Sequence, residues 1–235
     1  MAEVDIGSGS GTGGEGLGVK KDNSVIVIID DDVTRRTIVS SSVLKDPDIL
    51  CQFPHGQSPC ITVTLRDYKT LELATFLNDT IIDFYLTWLY ARVLPAKQKA
   101  AVHIFPTLFF KRLMQVPDNI SLINSYEKDE SLSQAQIRHT RVKGWSKKLN
   151  LFAKDMIIFP ICEESHWYLV IVIKPGMILP DEEDKCGNKG PFVLVFDSLG
   201  VERSRTVDTI REYLDVEWKV KVRLLVLMSC KLSTV

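Results

Sequence analysis

Cysteine pairs at metal-binding or redox spacing are missing from this sequence. The five cysteines are scattered and no two of them form a Cys-X-X-Cys pair, so we expect neither a zinc site nor a disulfide framework, and no cofactor. Unpaired thiols suit a reducing compartment. The cysteines are Cys51, Cys60, Cys162, Cys186 and Cys230.

An excess of charge of one sign and long hydrophobic runs are also missing. The chain has 29 basic and 30 acidic residues, so no surface-wide field would attract nucleic acid or an anionic membrane. Apolar runs such as residues 168–173 are too short to span a bilayer. The N-terminus has no basic region followed by an apolar segment, as a signal peptide would. We expect a cytosolic or nuclear protein without a nucleic-acid or membrane partner.

The first 59 residues have the composition of a tail. Residues 1–18 are rich in Gly and Ser, and such segments cannot offset the entropy lost on ordering. Within this predicted disordered tail, residues 25–29 are β-branched and run into the acidic residues 30–32. The run is either a short buried strand that ends in a turn, or a strand that adds to the sheet edge of a partner while its acids face a basic rim.

From Cys60 onward the pattern is that of an α+β domain with a central sheet. Helices are predicted after the caps Asn78 or Asp79, Ser133 and Ser204, the last with an apolar stripe of Val207, Ile210 and Leu214. Three nearly continuous apolar runs predict strands whose two faces are both covered. These runs are residues 156–161, 166–173 and 191–196.

The basic residues cluster after Ser133. Such a cluster is either a solvated helix face or a docking site for an acidic partner. Its members are Arg138, His139, Arg141, Lys143, Lys147 and Lys148.

His166 and Asp197 form the candidate catalytic pair. His166 opens one predicted strand and Asp197 follows another, so the two side chains meet at one sheet edge if those strands are antiparallel neighbours. A histidine held by a carboxylate is the base of a nucleophilic triad. The spacing alone also fits an edge histidine beside a turn-forming aspartate.

Several motifs carry a family resemblance. ESHWYLVIV followed by VFDSLG, with FLNDTIIDFYLTWL upstream, resembles the Ulp-type SUMO-specific (sentrin-specific) cysteine proteases. AQIRHTRVKGWSKKLNLFAKDMIIFPI and REYLDVEWKVK are most similar to the branch of sentrin-specific proteases 6 and 7. The resemblance implies a papain-like, adenoviral-protease-like α+β fold with a mixed sheet. It also implies deSUMOylation by cleavage after the modifier's Gly-Gly end, trimming of poly-SUMO chains, and residence in the nucleus, with the cytoplasm as a second location.

The resemblance assigns roles to individual residues. It makes His166 the general base and Asp197 its orienting carboxylate. Trp167 and Phe76 would form facing walls of a tunnel that admits only the glycines of the tail, because any side chain would clash. Asp79 would lie near the docking surface of the modifier.

Two parts of the family's machinery are missing after Asp197. The resemblance requires a Gln that donates to the oxyanion and a Cys within Asp-Cys-Gly at the start of a buried helix, and the sequence after Asp197 contains neither. Cys230 lies in Met-Ser-Cys-Lys-Leu near the chain end. The resemblance fades after Val222, so we expect a partial protease domain over residues 60–222, a divergent tail over 223–235, and no nucleophilic role for Cys230.

The resemblance favours the partner-strand interpretation of the tail. Its β-branched run and acids resemble a SUMO-interacting motif, made of Val25, Ile26, Val27, Ile28, Asp30, Asp31 and Asp32. Three hypotheses follow: a SUMO isopeptidase, a catalytically inactive chain that binds SUMO, SUMO conjugates or poly-SUMO chains, and a fragment that does not fold stably.

Overall fold

The computed structural model describes residues 24–27, 37–40, 48–56, 58–115, 132–178 and 190–232. Its strands are β1 (Ser24–Val27), β2 (Thr37–Ser40), β3 (Ile49–Phe53), β4 (Ile61–Thr64), β5 (Val102–Ile104), β6 (Met156–Glu163), β7 (His166–Ile173) and β8 (Phe192–Phe196). Its α-helices are α1 (Leu65–Lys69), α2 (Asp79–Trp88), α3 (Ala96–Ala101), α4 (Leu108–Met114), α5 (Gln134–Val142) and α6 (Ser204–Leu232). A π-helical turn covers Leu89–Val93, and 3-10 turns cover Leu151–Ala153 and Pro175–Ile178. None of these described helices has the length and apolar character needed to span a membrane.

A mixed sheet is at the centre of the domain, with strand order β5-β6-β7-β8. β5 runs parallel to β6, whereas β7 is antiparallel to both of its neighbours, β6 and β8. The predicted α+β arrangement with a central mixed sheet is therefore confirmed. Because β7 runs antiparallel to β8, its first residue and the residue that follows β8 lie at the same edge.

A two-residue turn joins β6 to β7. Glu164 and Ser165 have φ angles of 52° and 63°, and Glu163 pairs with His166 across the turn. Positive φ at both central residues is the pattern of type I′ turns, which match the twist of the flanking strands. This turn places Glu163 directly opposite the candidate base.

The two faces of the sheet differ in exposure, which corrects the prediction that both are covered. Val193 and Val195 of β8 pack against the buried core. The residues between and beside them, Phe192, Leu194 and Phe196, are 42%, 42% and 58% exposed. Within the described residues, the β8 side of one face is therefore open. The apolar composition of a strand shows that its side chains favour burial. Whether they are buried depends on whether another element packs against that face.

Two of the predicted helix caps are present, whereas Ser204 is the first residue of its helix. The side chain of Asn78 accepts a hydrogen bond from the backbone N–H of Ile81 at 3.1 Å, and Ser133 caps α5 in a reciprocal pair with Gln136. In α6, Ile210 and Leu214 of the predicted stripe are buried in the core.

The helix α6 extends beyond the predicted domain end. Its backbone is helical to Leu232, so residues 223–232 of the predicted divergent tail continue α6. A helix made of these last residues alone would be marginal. They instead continue a helix whose nucleation is already complete.

One member of the predicted basic cluster is a core residue. His139 is buried, and its Nε2 lies 2.5 Å from Oε2 of the buried Glu217 on α6. Arg138 pairs with Glu212 at 2.7 Å. His139 therefore belongs neither to a solvated face nor to a docking site. Its partner Glu217 lies 78 positions further along the chain.

The ordered structure begins upstream of the predicted boundary at residue 60. β1 pairs with β2, and β3 pairs with β4. Phe53 on β3 is buried and its ring centroid lies 5.9 Å from that of Phe84 on α2. Strands β1, β2 and β3 lie within residues 1–59, where the sequence predicted disorder, whereas β4 lies in the predicted domain. Of the proposed SUMO-interacting motif, residues 28–32 lie outside the described residues.

Candidate active site

His166 and Asp197 are in contact at the edge where β7 begins and β8 ends. Nε2 of His166 lies 2.7 Å from Oδ1 of Asp197, and the two side chains are 22% and 3% exposed. The predicted contact is thus present. His166 and Asp197 are 31 positions apart in the chain. The antiparallel pairing of β7 with β8 brings them together.

The environment of Asp197 favours its ionised form. Burial by itself raises the pKa of this carboxyl, but hydrogen bonds outweigh it and lower the pKa to about 2. The donors are the backbone N–H of Leu199 at 2.9 Å, Nε of Arg203 at 2.9 Å, and His166. Asp197 is therefore an acceptor at neutral pH.

This contact sets the tautomer of His166. Because an ionised carboxylate only accepts, Nε2 of the neutral imidazole carries the proton and donates it to Asp197. Nδ1 is then left with its lone pair. The pair can therefore take a proton from a nucleophile that approaches Nδ1, and the carboxylate stabilises the imidazolium that forms.

The residues predicted to bind substrate lie close to this edge. Nε1 of Trp167 donates to the carbonyl oxygen of Leu77 at 2.8 Å. That bond joins the strand of the base to the segment that leads into α2, where Phe76 is 74% exposed and Asp79 is the first helical residue. The structure thus brings Trp167, Phe76 and Asp79 into one region, although they are far apart in the chain.

Four further residues form a polar network around the start of β7. The hydroxyl of Tyr168 donates to Oε2 of Glu163 at 2.5 Å and lies 3.0 Å from Oγ1 of Thr206. Cζ of Arg203 lies 4.4 Å from the centroid of the Tyr168 ring. Burial, followed by the bond to Glu163, raises the pKa of Tyr168. The sequence reasoning missed this network, although Glu163 flanks the turn before His166 and Arg203 follows Asp197 by only six positions.

Two cysteines bear on the search for a nucleophile, Cys162 on β6 and Cys230 on α6. Cys162 lies opposite Trp167 in the β6–β7 pairing. Its pKa is raised, first by partial burial and then by the charge of Asp79, so its thiol is protonated at neutral pH. Cys230 lies two residues before the C-terminal end of α6. A helix stabilises a thiolate at its N-terminus, which is the opposite end.

Clustered metal-ligating side chains are absent from the described part of the chain. No group of three or more His, Cys, Asp and Glu side chains there could hold a metal ion.

Comparisons with known proteins identify the fold and family. Residues 75–227 match the model of the Ulp1 protease family, C-terminal catalytic domain. Human sentrin-specific protease 7 is 31% identical over 210 residues, covering 68% of this chain and 20% of that protein. Mouse sentrin-specific protease 6 is 39% identical over 123 residues, covering 52% of this chain and 10% of that protein.

A solved structure supports the same fold. The structure described as that of the de-sumoylating protease is 25% identical, with a TM-score of 0.50, and covers 72% of this chain and 55% of the other. The fold is thus that of the Ulp1-like proteases. The chain spans about a fifth of the length of the first curated relatives that it matches.

Proposed function

Because this chain belongs to the Ulp1 protease family, we propose that it acts in deSUMOylation, with His166 as general base and Asp197 as its orienting carboxylate. The observation that carries this proposal is the 2.7 Å contact between Nε2 of His166 and Oδ1 of Asp197. It leaves Nδ1 as the atom that can accept the proton of a thiol.

The reaction then follows cysteine-protease chemistry. Nδ1 of His166 would take the proton of a nucleophilic thiol, and the sulfur would attack the carbonyl carbon of the last glycine of the modifier. This proposal requires such a thiol, and none of the described cysteines is assigned that role. The carbon–nitrogen bond to the substrate amine breaks, and the imidazolium returns its proton to the leaving amine. Water then hydrolyses the thioester. Asp197 remains ionised throughout and stabilises the transient imidazolium.

Substrate selection would rest on Trp167 and Phe76. The bond from the Trp167 indole to the Leu77 carbonyl, at 2.8 Å, fixes the indole beside the segment that carries Phe76. Two aromatic walls at this edge would pass a Gly-Gly tail and exclude longer side chains. Asp79, at the start of α2, would contact the modifier. The substrates in this proposal are SUMO-conjugated proteins and poly-SUMO chains.

The cysteine environments favour a second candidate function, SUMO binding without cleavage. Cys162 is protonated at neutral pH and Cys230 lies at the C-terminal end of a helix. In this alternative, His166, Asp197 and Trp167 remain in place and hold the modifier tail without a thiolate to attack it.

One experiment separates the two functions. The chain is incubated with SUMO that carries a C-terminal electrophile, beside the variants Cys230→Ser, Cys162→Ser and His166→Ala. Adduct formation that disappears in His166→Ala and in one cysteine variant supports the protease. Absence of an adduct, with calorimetric binding of SUMO that is lost when the Gly-Gly end of the modifier is deleted, supports the binding function. Absence of both adduct and binding contradicts both functions.

The N-terminal motif would supply a second SUMO contact. Val25, Ile26 and Val27 lie in β1, where β2 pairs with one edge of the strand. The other edge is not paired within the described residues, so a strand of the modifier could add there. We expect Val27→Ala with Ile28→Ala to weaken binding of poly-SUMO more than binding of single SUMO. Equal affinities of the variant and the wild type for poly-SUMO would contradict this role.

The nucleus is the expected location, with the cytoplasm as a second site. Imaging of the tagged chain in cells tests this expectation, and exclusion from the nucleus would contradict it.

A further inference from the structure

The guanidinium group of Arg203 touches both carboxylates that border the start of β7. Its Nε donates to Oδ2 of Asp197 at 2.9 Å, and its Nη1 lies 3.6 Å from Oε2 of Glu163. Only 14% of the Arg203 side chain is exposed. Arg203 therefore joins the residue that follows β8 to the last residue of β6, on either side of the strand that carries His166.

Aromatic stacking restrains the same group. Cζ of Arg203 lies 4.4 Å from the centroid of the Tyr168 ring, and that ring stacks with the His166 imidazole at a centroid distance of 6.4 Å and 18°. The hydroxyl of Tyr168 is itself bound to Glu163. A guanidinium plane held by an aromatic face and two carboxylates has little rotational freedom.

The two oxygens of Asp197 have different partners. Oδ1 accepts from His166 and from the backbone N–H of Leu199, whereas Oδ2 accepts from Arg203. The carboxylate is only 3% exposed, so without Arg203 its Oδ2 would lose a charged partner with little access to water. Such a carboxylate gains by rotating toward another donor, which would move Oδ1 away from Nε2.

We propose that Arg203 is a positioning residue that holds Asp197 in the orientation in which Oδ1 faces Nε2 of His166, and so maintains the imidazole tautomer with an unprotonated Nδ1. This inference rests on the proposed role of His166 as the base. Arg203 acts through Asp197 and does not itself contact the reacting atoms. The guanidinium group of Arg203 is a planar fork that binds Asp197 and also stacks on Tyr168. A lysine at this position therefore cannot replace Arg203 fully.

Nuclear magnetic resonance of the imidazole nitrogens tests the proposal in the intact chain. The chain has four histidines, and His166→Ala assigns the signals of His166. In the wild type at pH 8 we expect the resonance of the proton on Nε2 of His166 to be shifted downfield. We also expect the chemical shifts of the two ring nitrogens to be typical of a single tautomer. Arg203→Gln should lose the downfield proton and show mixed tautomers, as Asp197→Asn should.

Arg205→Gln is the matched control, because Arg205 is an exposed arginine two positions away that undergoes the same loss of charge. It should retain the wild-type signals. Arg203→Lys keeps the charge, and we expect it to restore the downfield proton only in part. It also provides a folded variant if Arg203→Gln melts below the temperature of measurement.

Two outcomes would overturn the proposal: wild-type His166 signals in a folded Arg203→Gln variant, or full wild-type signals in Arg203→Lys. If the first of these outcomes comes with a fall in melting temperature, the role of Arg203 is purely structural. The proposed deSUMOylation is tested separately by the SUMO electrophile, so either idea can fail without the other.

Discussion

Replacement of Gly176 by alanine should destabilise the fold, because a Cβ at that position would lie 2.6 Å from the carbonyl oxygen of Phe152. Ordinary contact begins at 3.4 Å, so one backbone must move by about 0.8 Å (3.4 − 2.6). The ring of Phe152 packs edge-on against Trp218 at 4.9 Å, and the movement would therefore disturb α6 as well. Overpacking of this kind costs about 1–3 kcal/mol, or about 2–4 °C in melting temperature per kcal/mol for a chain of this size.

Gly144→Ala is the matched control. A Cβ at Gly144 would meet no heavy atom within 4 Å, and the residue has no positive φ. We expect its free energy of unfolding to be unchanged or to rise by about 0.4–1 kcal/mol, since alanine restricts the unfolded chain. Urea denaturation followed by circular dichroism measures both variants. Equal midpoints for the two variants, with equal m-values, would refute the close approach of Gly176 to Phe152.

Three further predictions concern the site and its supporting helices. Ser165→Gly should raise the free energy of unfolding by about 0.5–1 kcal/mol in urea denaturation, because glycine adopts the φ of 63° without a steric penalty; a loss of stability would contradict the turn geometry. The pKa of Asp197 lies at about 2, below the value of about 3.9 of an unfolded aspartate. Its ionised form therefore stabilises the fold above about pH 4, and that contribution is lost as the pH falls toward 2. Asp197→Asn should flatten the dependence of the urea midpoint on pH in this window, and an unchanged slope would count against the hydrogen bonds to the carboxylate. Glu217→Gln should cost about 1–3 kcal/mol because it disturbs the buried bond to His139. The exposed control Glu212→Gln should cost less than about 1 kcal/mol, and equal losses would contradict the burial of Glu217.

Much of the fold could be predicted from local patterns. The apolar run of β7, the cap at Asn78 and the stripe that includes Ile210 each follow from a few neighbouring residues, because periodicity and capping are local properties. The open face that carries Leu194 could not be predicted in this way. Apolar composition shows that a strand favours burial, whereas its exposure depends on whether another element packs there.

The buried pair of His139 and Glu217 could not be predicted from the sequence either. Basic neighbours made His139 look like part of a solvated face, and its partner lies on a helix 78 positions further along the chain. Whether a titratable residue of an amphipathic helix points inward depends on which helix it meets. That is a property of the tertiary packing.

The sequence by itself identified the candidate base and its carboxylate, because the motifs around His166 and Asp197 carry the family resemblance, whereas their positions beside two predicted strands also fitted a structural role. It also shows no Asp-Cys-Gly among residues 198–235. Only the tertiary structure decided which oxygen of Asp197 faces the imidazole and that Arg203 holds the other oxygen. The physical reason is that a hydrogen bond depends on distance and direction within tenths of an ångström, and strand pairing and the packing of α6 are what bring these groups that close.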